Sequence, residues 1–105
     1  MNYEEKRNEL VDKLVRRGYI KSDIVECAMR KVPRHLFVPE NMEDMAYVDS
    51  PQPIGQGQTI SAPHMVAMML EALDVEPGQK ILEIGGGMGY HAAVLGKMVG
   101  KEGVL

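Results

Sequence analysis

Apolar positions recur with helical spacing over the first third of the chain. Residues 4 to 17 carry charges around one apolar face, which predicts an amphipathic helix that ends at Gly18. The apolar face of this helix consists of Leu10, Val11, Leu14 and Val15. Ser22 can cap a second helix that should end before Pro33. The apolar positions of the second helix are Ile24, Val25, Ala28 and Met29, and we expect Cys27 to be a small buried residue among them.

The middle of the chain has no regular period. The segment VPRHLFVPE contains two prolines, which exclude a regular helix and indicate an ordered connector. We expect Leu36, Phe37 and Val38 to hold this connector in place. A third short helix is predicted from about Glu40 to Ala46. The stretch YVDSPQPIGQGQTIS is rich in Pro, Gly and Gln and predicts a loop with short extended pieces.

The last part of the chain alternates between helical and extended patterns. Residues 63 to 73 are apolar on most sides, so we expect a substantially buried helix. KILEIG is a short apolar run between turn signals, typical of a buried strand in a parallel sheet. The turn GGGMG and the helix YHAAVLGKMVG follow, and GVL begins another strand. This order predicts an α/β fold in which N-terminal helices precede one βαβ unit. The packing face of its helix should be Ala92, Val94, Leu95 and Met98.

Composition and charge narrow the classes of function. The chain has 105 residues, enough for a single small domain, and a formal net charge of −3 gives no electrostatic reason to expect nucleic acid or an anionic membrane as partner. One cysteine provides no disulfide framework and no cysteine-rich metal site. We therefore expect a reducing, cytoplasmic setting and no metal. Because the final GVL is the start of a strand that would need neighbours, we interpret the chain as the front part of a larger protein.

The glycine turn is the strongest chemical signal in the sequence. A strand that leads through EIGGGMGY into a helix can bring a ligand close to the backbone and to the N–H groups of the helix N-terminus. Gly87, Gly89 and Ala92 satisfy the looser form of the dinucleotide fingerprint, so an NAD-dependent oxidoreductase is one interpretation. Glu83 favours another, because a carboxylate at the strand end is awkward beside a pyrophosphate but useful near cationic S-adenosylmethionine. A turn whose glycines serve only close packing, and a non-catalytic helical interaction module, are the structural alternatives.

Several motifs together resemble one family. ILEIGGGMGY resembles the first motif of class I methyltransferases, which have a Rossmann-like fold. DSPQPIGQGQTISAPHM, VPRHLFVP and the pair Tyr47 and Asp49 resemble the protein-L-isoaspartate O-methyltransferases. The glycine motif alone would be generic, but its combination with GQTISAPHM is highly specific. The resemblance covers nearly the whole chain.

The resemblance implies methyl transfer from S-adenosylmethionine to the α-carboxylate of L-isoaspartyl residues in damaged proteins and peptides. Ser61 matches the active-site serine of the family. The residues that match its cofactor pocket are Gln58, Thr59, Ile60, Ser61, Glu83, Gly85, Gly87 and Gly89. Asp49, Ile54 and Gly55 lie in the same loop without an assigned chemical step. On this basis we divide the chain into an N-terminal helical segment (1–48), an active-site loop (49–62) and the first part of the methyltransferase α/β domain (63–105).

Some positions depart from the family pattern. Gly86 stands where the family often has Thr or Ser, and Met88 stands where it often has Ser. Val66 stands where some relatives have a second histidine. The resemblance also places the acidic residue that grips the cofactor ribose, and the later substrate segments, beyond Leu105. We therefore expect residues 1–105 by themselves to be inactive and to bind S-adenosylmethionine weakly. Because two strands are too few to cover a parallel sheet, we expect the chain either to self-associate through the exposed strand edge or to be stable mainly through its helices.

The segment TISAPHM allows two roles for Ser61. Sequence physics favours a helix N-cap, with Pro63 in the first turn where its missing N–H costs nothing. The resemblance favours a catalytic role, and the two roles are compatible. We interpret His64 as structural.

Overall fold

The computed structural model describes residues 2–55, 57–74 and 89–100. The predicted strands KILEIG and GVL, and the glycine turn up to Met88, lie outside these residues. The described helices are α1 (Tyr3–Arg16), α2 (Asp23–Lys31), α3 (Pro63–Leu73) and α4 (Tyr90–Val99). Two short 3-10 helices (Arg34–Phe37 and Glu40–Met45) and two strands, β1 (Gln52–Gly55) and β2 (Gln58–Ile60), connect α2 to α3.

The ends of the first two helices form as the sequence predicts. Gly18 follows the α1 C-terminus with φ +82°. Its N–H donates to the Val15 carbonyl at 3.1 Å and the next N–H, of Tyr19, donates to the Leu14 carbonyl at 3.0 Å. This is a Schellman ending, which favours glycine because it needs a left-handed residue. At the start of α2, the Ser22 hydroxyl accepts from the Val25 N–H.

The connector and the following loop contain more regular structure than the sequence predicts. The two prolines do exclude an α-helix, but Arg34–Phe37 forms a 3-10 turn between them, and the predicted third helix is also of the 3-10 type. The extended pieces of the loop pair as an antiparallel hairpin, in which Gln52 lies opposite Ile60. Gly55 and Gly57 both have positive φ where the chain reverses. The hairpin leads directly into α3.

The core lies between α2 and the other three helices, since α2 packs against α1, α3 and α4. Each helix contributes an apolar stripe at helical spacing. The stripes consist of Leu10, Val11 and Leu14; Val25, Ala28 and Met29; Val66, Ala67 and Leu70; and Tyr90, Val94, Leu95, Met98 and Val99.

Four expectations about burial are wrong. Cys27 is exposed, because it lies on the face of α2 opposite to Val25 and Met29. Leu36 is 67% exposed and does not hold the connector, whereas Phe37 and Val38 do pack against the core. Ala92 is only partly buried, and Val15 is 37% exposed.

The prediction that α3 is substantially buried holds for only one of its faces. One stripe, formed by Pro63, Val66, Ala67 and Leu70, is buried. The opposite face carries large apolar side chains that are 44% to 53% exposed, namely Met65, Met68, Met69 and Leu73. Hydrophobicity around the helix therefore did not identify the packed side.

Candidate active site

The hairpin strand β2 and the residue after it form one continuous wall. We use "the wall" for Gln58–Ser61. The Ile60 side chain is 8% exposed and joins the core, whereas Gln58, Thr59 and Ser61 are exposed. Ile60 therefore anchors the wall to the core, and the predicted catalytic residue, Ser61, stays exposed to solvent.

Ser61 is not the N-cap of α3. The cap residue is Ala62, and no side chain within the helix start provides the capping hydrogen bond. Pro63 does occupy the first turn, as predicted. The Ser61 hydroxyl is therefore not committed to the helix. Instead, its backbone carbonyl accepts a hydrogen bond from Arg34 Nη2 at 2.8 Å.

A carboxylate from outside the helix supplies the missing cap. Asp49 Oδ1 accepts from the His64 backbone N–H at 2.8 Å and lies 2.9 Å from His64 Nδ1. Since a carboxylate only accepts, the ring proton of His64 is assigned to Nδ1. The His64 ring also tilts against Tyr19, with centroids 5.1 Å apart. These contacts give His64 a structural role, as the sequence predicts, and give Asp49 a role that the sequence did not reveal.

Arg34 lies at the centre of the site and is 0% exposed. Its Nε donates to the Ala46 carbonyl at 2.8 Å, and its Nη2 donates to the Gln52 side-chain oxygen at 3.1 Å as well as to Ser61. Burial lowers the pKa of the Arg34 guanidinium from its ordinary value. The guanidinium remains a cation at neutral pH, because an arginine side chain loses its proton only in strongly alkaline solution.

The Tyr90 ring closes the other side of Arg34. The Arg34 Cζ lies 4.9 Å from the centroid of the Tyr90 ring, a cation–π arrangement. Burial raises the pKa of the Tyr90 phenol to about 12, although the nearby Arg34 charge acts in the opposite direction. Phe37 meets the same ring edge-on at 5.8 Å. The connector is thus packed against the first residue of α4.

Gly89 is the one predicted cofactor residue of the glycine turn in the described part of the chain. It caps α4 with φ +86° and ψ 0°, and no side chain of the described residues makes a capping hydrogen bond there. Among the described residues, a Cβ at this position would meet the Phe37 ring at an ordinary contact distance of 3.8 Å and nothing closer. The glycine is therefore required by its left-handed backbone. An uncapped helix start of this kind suits hydrogen bonding to a ligand. Glu83, Gly85 and Gly87 lie outside the described residues.

A polar cluster supports the segment before the hairpin. The Tyr47 hydroxyl lies 3.0 Å from His35 Nδ1 and accepts from Arg7 Nη1 at 3.3 Å. The His35 ring stacks on Tyr3 at 4.1 Å. Tyr47, which carries part of the family resemblance, therefore ties α1 and the connector to the segment that bears Asp49.

The described residues were compared with what a metal site and a membrane-spanning helix require. Over 2–55, 57–74 and 89–100, no three His, Cys, Asp or Glu side chains gather as metal ligands would. Among the helices described there, none is long and apolar enough to cross a membrane.

The sequence analysis missed Arg34 altogether. One signal was present, since Arg34 is a charged residue inside the largely apolar run VPRHLFV. A cation in such a run either reaches solvent or finds buried acceptors. Only the tertiary structure shows that its acceptors come from three separate segments.

Comparison with known proteins gives the family. The model of the family described as Protein-L-isoaspartate(D-aspartate) O-methyltransferase (PCMT) matches residues 5–105. The chain belongs to the protein-L-isoaspartate O-methyltransferase family.

Individual relatives agree with this membership. A protein-L-isoaspartate O-methyltransferase of Methanopyrus kandleri is 62% identical over 97 residues, which are 92% of this chain and 43% of the relative. Protein-L-isoaspartate O-methyltransferase 1 of Archaeoglobus fulgidus is 57% identical over 105 residues, covering 100% of this chain and 48% of the relative. The chain thus spans less than half the length of these curated relatives.

Solved structures show the same fold. A Plasmodium falciparum protein-L-isoaspartate O-methyltransferase, crystallised in complex with S-adenosyl-L-homocysteine, matches with a TM-score of 0.78 and 35% identity. The match covers 89% of this chain and 42% of that one. A second structure, named protein-L-isoaspartate O-methyltransferase, matches with a TM-score of 0.78, 32% identity, and coverage of 92% and 32%. These matches confirm the predicted α/β methyltransferase fold.

Proposed function

We propose that this chain forms part of an enzyme that transfers a methyl group from S-adenosylmethionine to the α-carboxylate of L-isoaspartyl residues in damaged proteins and peptides. The observation that carries the proposal is the match to the Plasmodium falciparum structure, which binds S-adenosyl-L-homocysteine, over 89% of this chain. The family membership of residues 5–105 supports the same activity.

The proposal assigns roles to the wall and the glycine turn. Ser61 is the catalytic side chain, placed beside the substrate carboxylate. The backbone of Gln58, Thr59 and Ile60 lines the cofactor pocket. Glu83, Gly85, Gly87 and Gly89 complete that pocket from the glycine turn. Support for these roles comes from the exposed Ser61 side chain, which no cap engages, and from the uncapped, left-handed start of α4 at Gly89.

The chemistry asks for alignment more than for acid–base catalysis. A substrate carboxylate is already ionised at neutral pH, so no residue has to remove a proton from it. S-adenosylmethionine, when bound, would supply an activated methyl group. The protein must then hold one carboxylate oxygen in line with that methyl group and exclude water, and orientation of this kind can lower a barrier by several kcal/mol. A wall that is fixed by buried contacts suits this task.

We also propose the division of the chain that the sequence predicts. It consists of a helical segment (1–48), an active-site loop (49–62) and an α/β part (63–105). The proposed partners are isoaspartyl proteins and peptides, without nucleic acid or membrane, in the cytoplasm.

The test uses a full-length chimera, in which the matched segment of this chain, 97 residues long, replaces the corresponding segment of the Methanopyrus kandleri relative. Labelled methyl groups should pass to an isoaspartyl peptide and not to the same peptide with an ordinary aspartate. Calorimetry should show binding of S-adenosylhomocysteine and none of NAD. Equal labelling of both peptides, or preferential binding of NAD, would contradict the proposal. In parallel, the 105-residue chain by itself is expected to show no turnover.

A further inference from the structure

One buried side chain connects the two halves of the candidate site. We propose that Arg34 is a positioning residue that fixes the wall against the start of α4, and thereby the alignment of the methyl acceptor. The inference rests on the proposed function for its catalytic consequence, but its structural content stands on the contacts of Arg34. A single guanidinium donates hydrogen bonds to the Ser61 carbonyl, the Gln52 side chain and the Ala46 carbonyl. The same group packs against the Tyr90 ring.

The contacts of Arg34 reach segments that are distant along the chain. Ala46 directly follows the second 3-10 helix, Gln52 begins β1, and Ser61 ends the wall. Tyr90 is the first residue of α4 and directly follows Gly89. Arg34 therefore touches the backbone of the proposed catalytic residue and the helix that continues the glycine turn.

Hydrogen-bond geometry distinguishes Arg34 from an apolar side chain in the same place. None of its hydrogen bonds to the described residues goes to a carboxylate, and Nη1 has no hydrogen-bond partner among them. A well-packed apolar side chain of similar volume is often as stabilising as a buried charged group. What an apolar side chain lacks is the rigid fork of donors, which holds several acceptors at fixed relative positions. We infer that this geometry is the contribution of Arg34.

A lysine at position 34 distinguishes the effect of the hydrogen-bond geometry of Arg34 from the effect of its positive charge. Arg34→Lys keeps a cation near the wall but replaces the planar fork with a single flexible ammonium group. Arg34→Met removes both the charge and the fork while filling similar space. If geometry matters, both variants should lose turnover. If only the positive charge near an anionic substrate matters, Arg34→Lys should behave like the unaltered protein.

The kinetic experiment uses the full-length chimera described above. Both Arg34 variants should lower kcat for an isoaspartyl peptide at least tenfold at saturating S-adenosylmethionine, because misalignment of about 1 Å can cost a hundredfold in rate. Their dissociation constants for S-adenosylhomocysteine, measured by calorimetry, should rise by a smaller factor than kcat falls, because the proposed loss is mainly one of acceptor alignment. Arg30→Met is the matched control. Arg30 makes ion pairs with Asp12 and Glu26 on the outer side of α1 and α2, and its variant should keep kcat within twofold.

The outcomes that overturn the proposal are specific. A kcat within twofold of the unaltered protein in either Arg34 variant would remove the positioning role. A loss of kcat no larger than that of Arg30→Met would also contradict the positioning role. So would a loss that a smaller folded fraction, measured by thermal unfolding, accounts for.

A second measurement does not depend on activity. Hydrogen–deuterium exchange of the peptide covering 58–62 should be at least fivefold faster in Arg34→Lys than in the unaltered chain, and unchanged in Arg30→Met. If the chimera methylates no isoaspartyl peptide but exchange accelerates as stated, the proposed function fails while the anchoring of the wall by Arg34 stands. Unchanged exchange in Arg34→Lys would overturn the anchoring itself.

Discussion

The carboxylate of Asp49 should account for a measurable share of the folding stability, because it caps a helix from outside. The side chain of Asp49 is 10% exposed, and one oxygen accepts from both the backbone N–H and the ring Nδ1 of His64. Loss of a helix cap costs about 0.5–2 kcal/mol. A partly buried anion at a helix N-terminus adds up to about 2 kcal/mol. Since both effects act through the same atoms, we expect Asp49→Ala to lower the free energy of unfolding by about 2–3 kcal/mol.

The assay is urea unfolding at neutral pH, followed by far-ultraviolet circular dichroism. Asp49→Asn keeps a neutral acceptor for the His64 N–H, so it should lose only about 1 kcal/mol. Asp23→Ala is the matched control, since Asp23 is exposed in the first turn of α2, where Ser22 already provides the cap. Its loss should stay below about 1 kcal/mol.

Two results would refute the reasoning about Asp49. One is a loss below about 0.5 kcal/mol in Asp49→Ala, which would mean that water caps α3 equally well. The other is an equal loss in Asp49→Ala and Asp23→Ala, which would mean that only the charge near a helix start matters and that the tertiary contact adds nothing.

Three further predictions concern single residues. Ser61→Ala should lower methyl transfer by the chimera at least about tenfold, near 1.4 kcal/mol, with an unchanged melting temperature, because Arg34 binds the Ser61 carbonyl and alanine keeps that group; unchanged turnover would contradict a catalytic role. Tyr90→Phe should remove an alkaline loss of stability: with a native pKa of about 12, the folded state holds the phenol proton more tightly than the unfolded chain. Stability should therefore be unaffected below pH 10 and fall by about 3 kcal/mol between pH 10 and 12, and an identical alkaline unfolding curve for Tyr90→Phe would refute this. Gly18→Ala should cost about 1–2 kcal/mol in urea unfolding, because φ is +82° and no heavy atom of the described residues would crowd the new Cβ. Gly18→Asn should cost less, and equal losses would point to a cause other than backbone strain.

Local signals in the sequence determined the helices and the family. The stop at Gly18 and the cap at Ser22 depend on hydrogen bonds within a few residues, so the sequence could predict both. The motifs of the wall and the glycine turn were sufficient to predict the family that residues 5–105 match. Catalytic and cofactor roles for Ser61 and the residues around it stay predictions.

The tertiary structure decided which side chains the core and the site use. Cys27 and the methionines of α3 show this for burial, since apolar character did not identify the helix face that packs. The cap of α3 also depends on tertiary structure, because Asp49 accepts from His64, which is 15 residues away. The position of the wall depends on tertiary structure as well, because Arg34 donates to the Ser61 carbonyl, which is 27 residues away. Contacts across such separations depend on how the helices and the hairpin pack together. The sequence next to one partner therefore does not predict the identity of the other.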